Sequence, residues 1–496
     1  MAVALVGYEF LREQLHLSAF PCSRPARIAK VAKVVPSEDY LDVPATVAPS
    51  SEQALAHILF ALKHEGINLQ ILAQSLPQVP ASQIKEAFTQ SPASKYLRIA
   101  AYLWEQFTGH ELLSVPPAVG PYVDLFDTAH YITGRRQRDT KWRVDFNGLG
   151  SISYCPTVVR SPRITQLLEK NILQRTQEFI SEMDQDLLER TMSWSYLSET
   201  QSSFAIERET PTSSKAEAFA ELLKHARDST PITEEYLVQL QNLSMTNPLQ
   251  HDVQFRNKIN WLRGAGSGVL GVTYVPPKPD LLPEMMDAIM GLLNNPAPDV
   301  SPLVIGAIAS FAFVFAHPFM DGNGRLSRFL FHKAVCKSQV LEQGLVLPVS
   351  IAMSRNEAGY LKALKSFSVP ARKLWSVISI DETTFDFKFN GDSSIYRYWD
   401  ATQCVEFGLQ MADQALEIDL RQETDFLRTF DEIYRRVSKE IDLNNNTLSL
   451  MIRVCLQNEG QLSNTKRKYF LAKGCTEVAL NVVEEIALAV VRAEVK

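Results

Sequence analysis

Cysteine is scarce in this chain and follows no pattern: Cys22, Cys155, Cys336, Cys404, Cys455 and Cys475 form no CxxC pair and stand near no histidine set at zinc spacing. That excludes a disulfide framework or a zinc module and predicts reduced thiols in a cytosol-like compartment. Long apolar runs are missing too. The longest, Pro302 to Ala316, holds 15 residues, fewer than the eighteen or so that a membrane span needs. The first residues lack a basic n-region and reach Glu9 early, so a signal peptide is not expected, and the expected location is cytoplasmic with no membrane partner. Positive charge is not in excess either. With 50 Lys+Arg against 56 Asp+Glu the formal net charge is −6, which argues against a chain-wide nucleic-acid surface. One basic cluster, Lys466-Arg467-Lys468, reads first as a solvated helix end, with a small DNA-reading helical domain as the minority alternative. There is no internal repeat and no low-complexity tract.

What is present is an ordinary globular composition, 46% hydrophobic and 21% charged over 496 residues, enough for two to four domains with ample core. Residues 1–160 mix proline-rich turns with amphipathic stretches. Leu55, Ile58, Leu59 and Leu62 mark a helix over Ala54 to His64, Ser82 to Ala101 repeats the style, and Trp142 to Tyr154 reads as strand, turn and strand around Asn147-Gly148. This region is expected to be an α+β accessory domain. From Pro162 to about Ser368 the pattern is almost wholly helical, with Ser301-Pro302 as N-cap and first-turn pair of a buried helix ending before His317. Beyond Pro370, Lys373 to Ile380 and Phe385 to Phe389 alternate like a hairpin, and helical spacing resumes from Val405. The expected division is 1–160, 161–370 and 371–496, the last a hairpin plus a mostly helical domain. The fold class is mainly α.

The chemistry concentrates in one run, His317-Pro-Phe-Met-Asp321-Gly322-Asn323-Gly324-Arg325-Leu-Ser-Arg328. Gly322 and Gly324 can adopt the positive φ of an amide nest, and a helix beginning near Asn323 would add its positive dipole end to that anion site. Arg325 and Arg328, three apart, project from nearly one face toward one polyphosphate. His317, ordinarily titrating near 6.5, can accept a proton from an attacking hydroxyl, and Asp321 is a hard oxygen ligand suited to Mg²⁺. Alone, the histidine would be a helix cap and the aspartate a turn residue. Their register with the glycines and arginines argues for transfer of a nucleotide phosphate, with Asn323 helping to fix the phosphate under attack.

This run resembles the signature of the Fic family, HPFx(D/N)GNGRxxR, at every fixed position. The resemblance implies a Fic-type helical core with a small β-hairpin flap, and transfer of AMP from ATP, with Mg²⁺, to a Ser, Thr or Tyr hydroxyl of a target protein and of the chain itself. It implies His317 as the base, Asp321 as the metal ligand and Gly322 to Gly324 as the anion hole, with Arg325 and Arg328 on the outer phosphates. The related Doc proteins phosphorylate and carry lysine where this chain has Gly324, which favours attack at the α-phosphate. Other readings keep the core and change the cargo to UMP, phosphate or phosphocholine, or make the chain a DNA-binding regulator with a nucleotide-sensing core. A homodimer is left open.

Two further segments resemble family features. Gly271 to Asp280 is similar to the flap, which implies that Tyr274, Val275, Pro276 and Pro277 dock the target by strand pairing. Ser202 to Arg208 resembles the inhibitory motif (S/T)xxxE(G/N), with Ser203 and Glu207 matching and Arg208 standing where Gly or Asn is expected. The resemblance implies an inhibitory helix over about 193–210, whose Glu207 would occupy the Arg328 fork and repel the γ-phosphate. Tyr360, on the helix after Leu347 to Arg355, is the candidate to flank the purine.

Overall fold

The computed structural model describes residues 3–245, 251–341, 344–381 and 384–494. The chain is mainly helical, with four small sheets among the described residues. None of the described helices is long and apolar enough to cross a membrane.

Residues up to about 155 close around their own core, where Phe88, Phe126, Trp142 and Phe146 are buried. Strands β1 (Leu5–Val6), β2 (Ala26–Ile28), β3 (Val35–Pro36) and β4 (Leu41–Val43) form a sheet in the order β1-β2-β4-β3, parallel only between β2 and β4. Helix α1 (Ala54–His64) buries Leu55, Ile58 and Leu62, as the spacing predicts. Ser82 to Ala101 divides between a helix at Ala81–Gln90 and α2 (Lys95–Thr108), because Ser94 caps α2 by accepting the Leu97 N–H at 3.5 Å.

A second sheet holds β5 (Val123–Asp124), β6 (Gln137–Asp139) and β7 (Val144–Phe146) in the order β5-β7-β6. The turn expected at Asn147-Gly148 does not form a hairpin: β7 pairs backward with β6, and the next pairing along the chain is an isolated Ser151–Tyr154 bridge. Asn147 is the cause. It is buried, and its amide exchanges two 2.8 Å hydrogen bonds with the Phe126 backbone, so it ties two loops together.

The helical unit begins with Pro162–Glu169 and Ile172–Ser181 and continues through α3 (Gln185–Ile206), Ser213–Lys224 and α4 (Glu234–Ser244). The hairpin of β8 (Leu262–Arg263) and β9 (Val272–Tyr274) follows, then Leu282–Asn294, α5 (Pro302–Ala316), α6 (Asn323–Lys337), α7 (Val349–Arg355) and α8 (Glu357–Arg372). Helix α5 is apolar on nearly every face and sits at the centre of the core. Pro302 opens it at N1, while the Ser301 side chain makes no capping bond. Gly306 lets α6 close on it: a Cβ there would lie 3.0 Å from the Phe331 carbonyl oxygen.

The boundary was expected at 370. Pro370 stands inside the last turn of α8, where it removes one backbone donor without ending the helix. The hairpin β10 (Trp375–Ser379) and β11 (Phe385–Phe389) packs Trp375 and Phe385 against Val272 and Val275 of the flap. Ile395, Tyr396, Trp399 and the inner face of α9 (Thr402–Gln414) join the same core as α5. A separate apolar cluster starts only at Ile433 and runs through α10 (Arg421–Glu440), α11 (Asn445–Leu456), α12 (Asn464–Ala472) and α13 (Glu477–Glu494). By its packing, the helical unit extends to about residue 420.

Candidate functional site

The site is built at the joint between α5 and α6. His317 ends α5 in the left-handed region at φ 49° and ψ 60°, its N–H bonded to the Phe313 oxygen at 2.8 Å. This conformation is costly for a side-chain-bearing residue and turns the chain sharply out of the helix. Its Nδ1 lies 3.3 Å from the Val314 oxygen, so the tautomer with Nδ1–H donating leaves the Nε2 lone pair as a base. Burial lowers the imidazole pKa to about 4, and the ring is neutral at pH 7.

Asn323 staples the turn. Its Oδ1 accepts the Phe319 N–H at 3.0 Å and its Nδ2 donates to the Phe319 oxygen at 2.8 Å. The expectation that this side chain reaches a phosphate therefore gives way to a positioning role. Gly322, at φ 79°, donates its N–H to Asp321 Oδ1 at 2.6 Å and caps α6. Helix geometry leaves the N–H groups of Asn323, Gly324 and Arg325 without intrahelical acceptors, which makes the anion site at this end. Asp321 is exposed with one carboxylate oxygen uncommitted. That donor set fits Mg²⁺, which takes most of its ligands from water and substrate phosphate; no cluster of three His, Cys, Asp or Glu exists among the described residues.

Three residues central to the geometry were not visible in the sequence pattern. Arg256, 6% exposed, donates to the oxygens of His317 (2.7 Å), Ala316 (3.2 Å), Pro277 (2.7 Å) and Lys258 (2.8 Å), tying the end of the flap to the turn after α5. Asp252 faces the same turn, and burial, followed by the charge of Asp321, raises its pKa. Glu199, on α3 and without solvent exposure, accepts from the Ser350 N–H at 2.8 Å and bonds His332 Nε2 at 2.8 Å. Burial pushes the Glu199 carboxyl up, but the His332 and Ser350 contacts outweigh it and hold its pKa low. Lone Arg, Asp and Glu residues in loops and helices carry no spacing signal.

The two arginines of the motif are buried and engaged. Arg328 Nε donates to Ser203 Oγ at 2.6 Å, and Nη2 donates to the Ser203 oxygen at 2.9 Å and to Glu207 Oε1 at 2.6 Å. Arg325 donates to the Ser244 oxygen at 3.3 Å, and its Nε, buried with no hydrogen bond, lies 3.6 Å from Glu207 Oε2. Glu207 thus sits between both guanidiniums. It also fills the space above Gly324, where a Cβ would come within 2.1 Å of Glu207 Oε1.

Helix α3 starts at Gln185, earlier than expected, and ends at Ile206, so Glu207 is its C-cap. Arg208 follows at φ 59°, left-handed. Glycine and asparagine favour that conformation, which explains physically why the motif's last position prefers them. Arg208 offsets part of the strain with an exposed ion pair to Glu357 at 3.1 Å.

The flap residues lie the other way round from the docking expectation. Tyr274, Val275, Pro276 and Pro277 are all buried. The Tyr274 hydroxyl donates to the Phe315 oxygen at 2.7 Å, and the Val275 oxygen accepts from Tyr396 at 3.0 Å. Tyr274 packs into the main core against Phe315 and Phe367, with ring centroids 6.3 Å from each, while the hairpin at 375–389 covers Val272 and Val275. Arg263, Thr273 and Leu270, the last 88% exposed, are among the residues that the flap presents to solvent. Tyr360 packs between Phe311 and Phe407, with ring centroids 5.9 and 5.8 Å away, and lies close enough to Arg328 and Glu207 to feel their charges.

Residues 231–335 match the model of the Fic/DOC family, so the chain carries a Fic/DOC domain that contains His317 to Arg328. A protein adenylyltransferase Fic from Nematostella vectensis is 33% identical over 66 residues, 13% of this chain and 16% of that protein. A Fido domain-containing protein from Dictyostelium discoideum is 33% identical over 89 residues, 18% of this chain and 57% of that one. The chain thus spans only part of the length of each of these relatives. A crystal structure of a Fic family protein from Desulfovibrio desulfuricans aligns over 65% of this chain and 87% of its own, at 20% identity and a TM-score of 0.40.

Two outcomes are expected from this geometry. In a histidine NMR titration, the resonance absent from His317→Gln should stay neutral down to about pH 5, and a midpoint near 6.5 would contradict the buried environment. Since the folded pKa lies below the unfolded value of about 6.5, this group's contribution to stability is complete above that pH and declines as pH falls toward 4. Arg208→Gly should relieve the left-handed strain and raise stability by about 1 kcal/mol in denaturant titration, whereas a loss would mean that the Glu357 pair matters more than the backbone.

Proposed function

We propose that the chain is a protein adenylyltransferase, moving AMP from ATP to a Ser, Thr or Tyr hydroxyl of a target protein and of itself, and that Glu207 restrains it. The observation that carries this reading is a neutral imidazole and a glycine-framed helix N-terminus held in one turn by the Asn323 staple.

The steps follow from those groups. The α-phosphate would lie against the unpaired N–H groups at the start of α6, which oppose the charge that builds on its oxygens. The acceptor hydroxyl attacks the α-phosphorus, His317 Nε2 takes its proton, and pyrophosphate leaves. Mg²⁺ held through Asp321 would supply charge neutralisation on the phosphates. Arg325 and Arg328 would orient the outer phosphates once freed from Glu207. Because Tyr274 to Pro277 are covered, a target segment would meet the exposed β8 side of the flap and not the buried stretch after β9.

The restraint rests on occupancy and charge. Glu207 Oε1, 2.6 Å from Arg328 Nη2, takes the donor that a γ-phosphate would use and places a negative charge where that phosphate would lie. A misplaced triphosphate aligned an ångström off can cost roughly a hundredfold in rate. Glu207→Gly should therefore raise transfer to target and to self by tens of fold or more, and adding Arg328→Ala should cancel that gain, since both act through one contact. An unchanged rate in Glu207→Gly would remove the restraint from the account.

A further inference from the structure

A cleft of about 610 Å³ opens in the N-terminal domain, where the end of α1, the start of α2, segment 22–24 and loop 125–131 meet. Three cations line it, Arg24, Lys63 and Lys95, none of them in an ion pair among the described residues. Against them stands one ionised carboxylate, Asp127, itself 3.0 Å from His130 Nδ1. The other carboxyl in the lining, Glu65, is pushed up to about 8 by burial, accepts the Tyr8 N–H at 3.0 Å, and is mostly neutral at pH 7. In a chain of net charge −6, this is a local positive excess gathered around a concavity.

The floor is fixed before any ligand arrives. Gly66 sits at φ 88°, where a Cβ would come within 2.5 Å of the Tyr131 hydroxyl, and that hydroxyl accepts the Ile67 N–H at 3.1 Å. The Tyr8 hydroxyl donates to the Gly66 oxygen at 2.7 Å. Beside the cations the wall is apolar, with Leu62, Ile99, Leu125 and the Tyr96 ring.

Charge and shape together select a ligand class. A phosphate monoester carries about −1.5 to −2 at pH 7, which matches three cations offset by one carboxylate. Inorganic phosphate would leave the apolar wall unused, whereas the volume lies within the roughly 300–1,000 Å³ of small-molecule sites. We propose that the N-terminal domain binds a nucleoside monophosphate, its phosphate on Arg24, Lys63 and Lys95 and its base against Tyr96 and the apolar wall. This site is independent of the catalytic reading.

Photolabelling of the full chain with 8-azidoadenosine 5′-monophosphate, mapped by mass spectrometry, tests it. The label should fall within 62–68, 95–99 or 125–131, and AMP should compete at least tenfold better than adenosine or inorganic phosphate. Lys63→Glu combined with Lys95→Glu should cut that label at least tenfold with the melting temperature kept, and Arg24→Glu, on an exposed side chain, should do the same. Labelling confined to the region of His317 to Arg328, equal competition by inorganic phosphate or adenosine, or a label indifferent to charge reversal would each overturn the proposal.

Discussion

Two guanidinium groups, Arg325 and Arg328, are each 2% exposed, and a buried charge has to be answered by partners. Much of the site is arranged around that need. The end of α3 meets Arg328 with the Ser203 hydroxyl, the Ser203 oxygen and the Glu207 carboxylate, and the end of α4 meets Arg325 with the Ser244 oxygen. The position of α3 follows from it, and so does the glycine at 324, since Glu207 occupies the volume that a side chain there would need. A ligand bearing phosphate would supply the same charge, so the arginines can exchange one partner for the other without being left unanswered.

Helix α3 is not held by that contact alone. Its Glu199, two turns before Glu207, is locked to His332 on α6 and to the start of α7. The two ends of this stretch therefore differ in kind. Glu199 is sealed from solvent, while Glu207 is partly accessible at the helix end, next to a strained Arg208. On the other side of the turn, Arg256 binds four carbonyl oxygens and ties the end of the flap to the backbone of His317.

Much of this was legible in the sequence because its signals are local. Helical spacing marked α1 and α9, alternation marked the 375–389 hairpin, and the turn from His317 to Arg328 could be read from residue types in register. What was misread depends on contacts between distant segments. The flap residues 274–277 look like a free edge until Tyr274 is seen to pack on Phe315 and Phe367 and the later hairpin to cover Val275, and Asn147-Gly148 looks like a turn until Phe126 claims the asparagine. Pro370 looks like a boundary because a proline so near a helix end reads as a stop, and only the packing of Trp399 and Leu409 on α5 shows that the core continues. Asn323 reads as a ligand group in the sequence because a bond to the Phe319 backbone leaves no mark there.

The central claim is that the turn at His317 directs attack at the α-phosphate. Incubation of the Glu207→Gly chain with Mg²⁺ and ATP labelled at either the α- or the γ-phosphate, followed by mass spectrometry of the modified hydroxyl, tests it directly. The account predicts that α-label and the adenosine stay on the protein while γ-label leaves with pyrophosphate. Transfer of γ-label alone, without adenosine, would contradict it and make the chain a kinase built on the same turn.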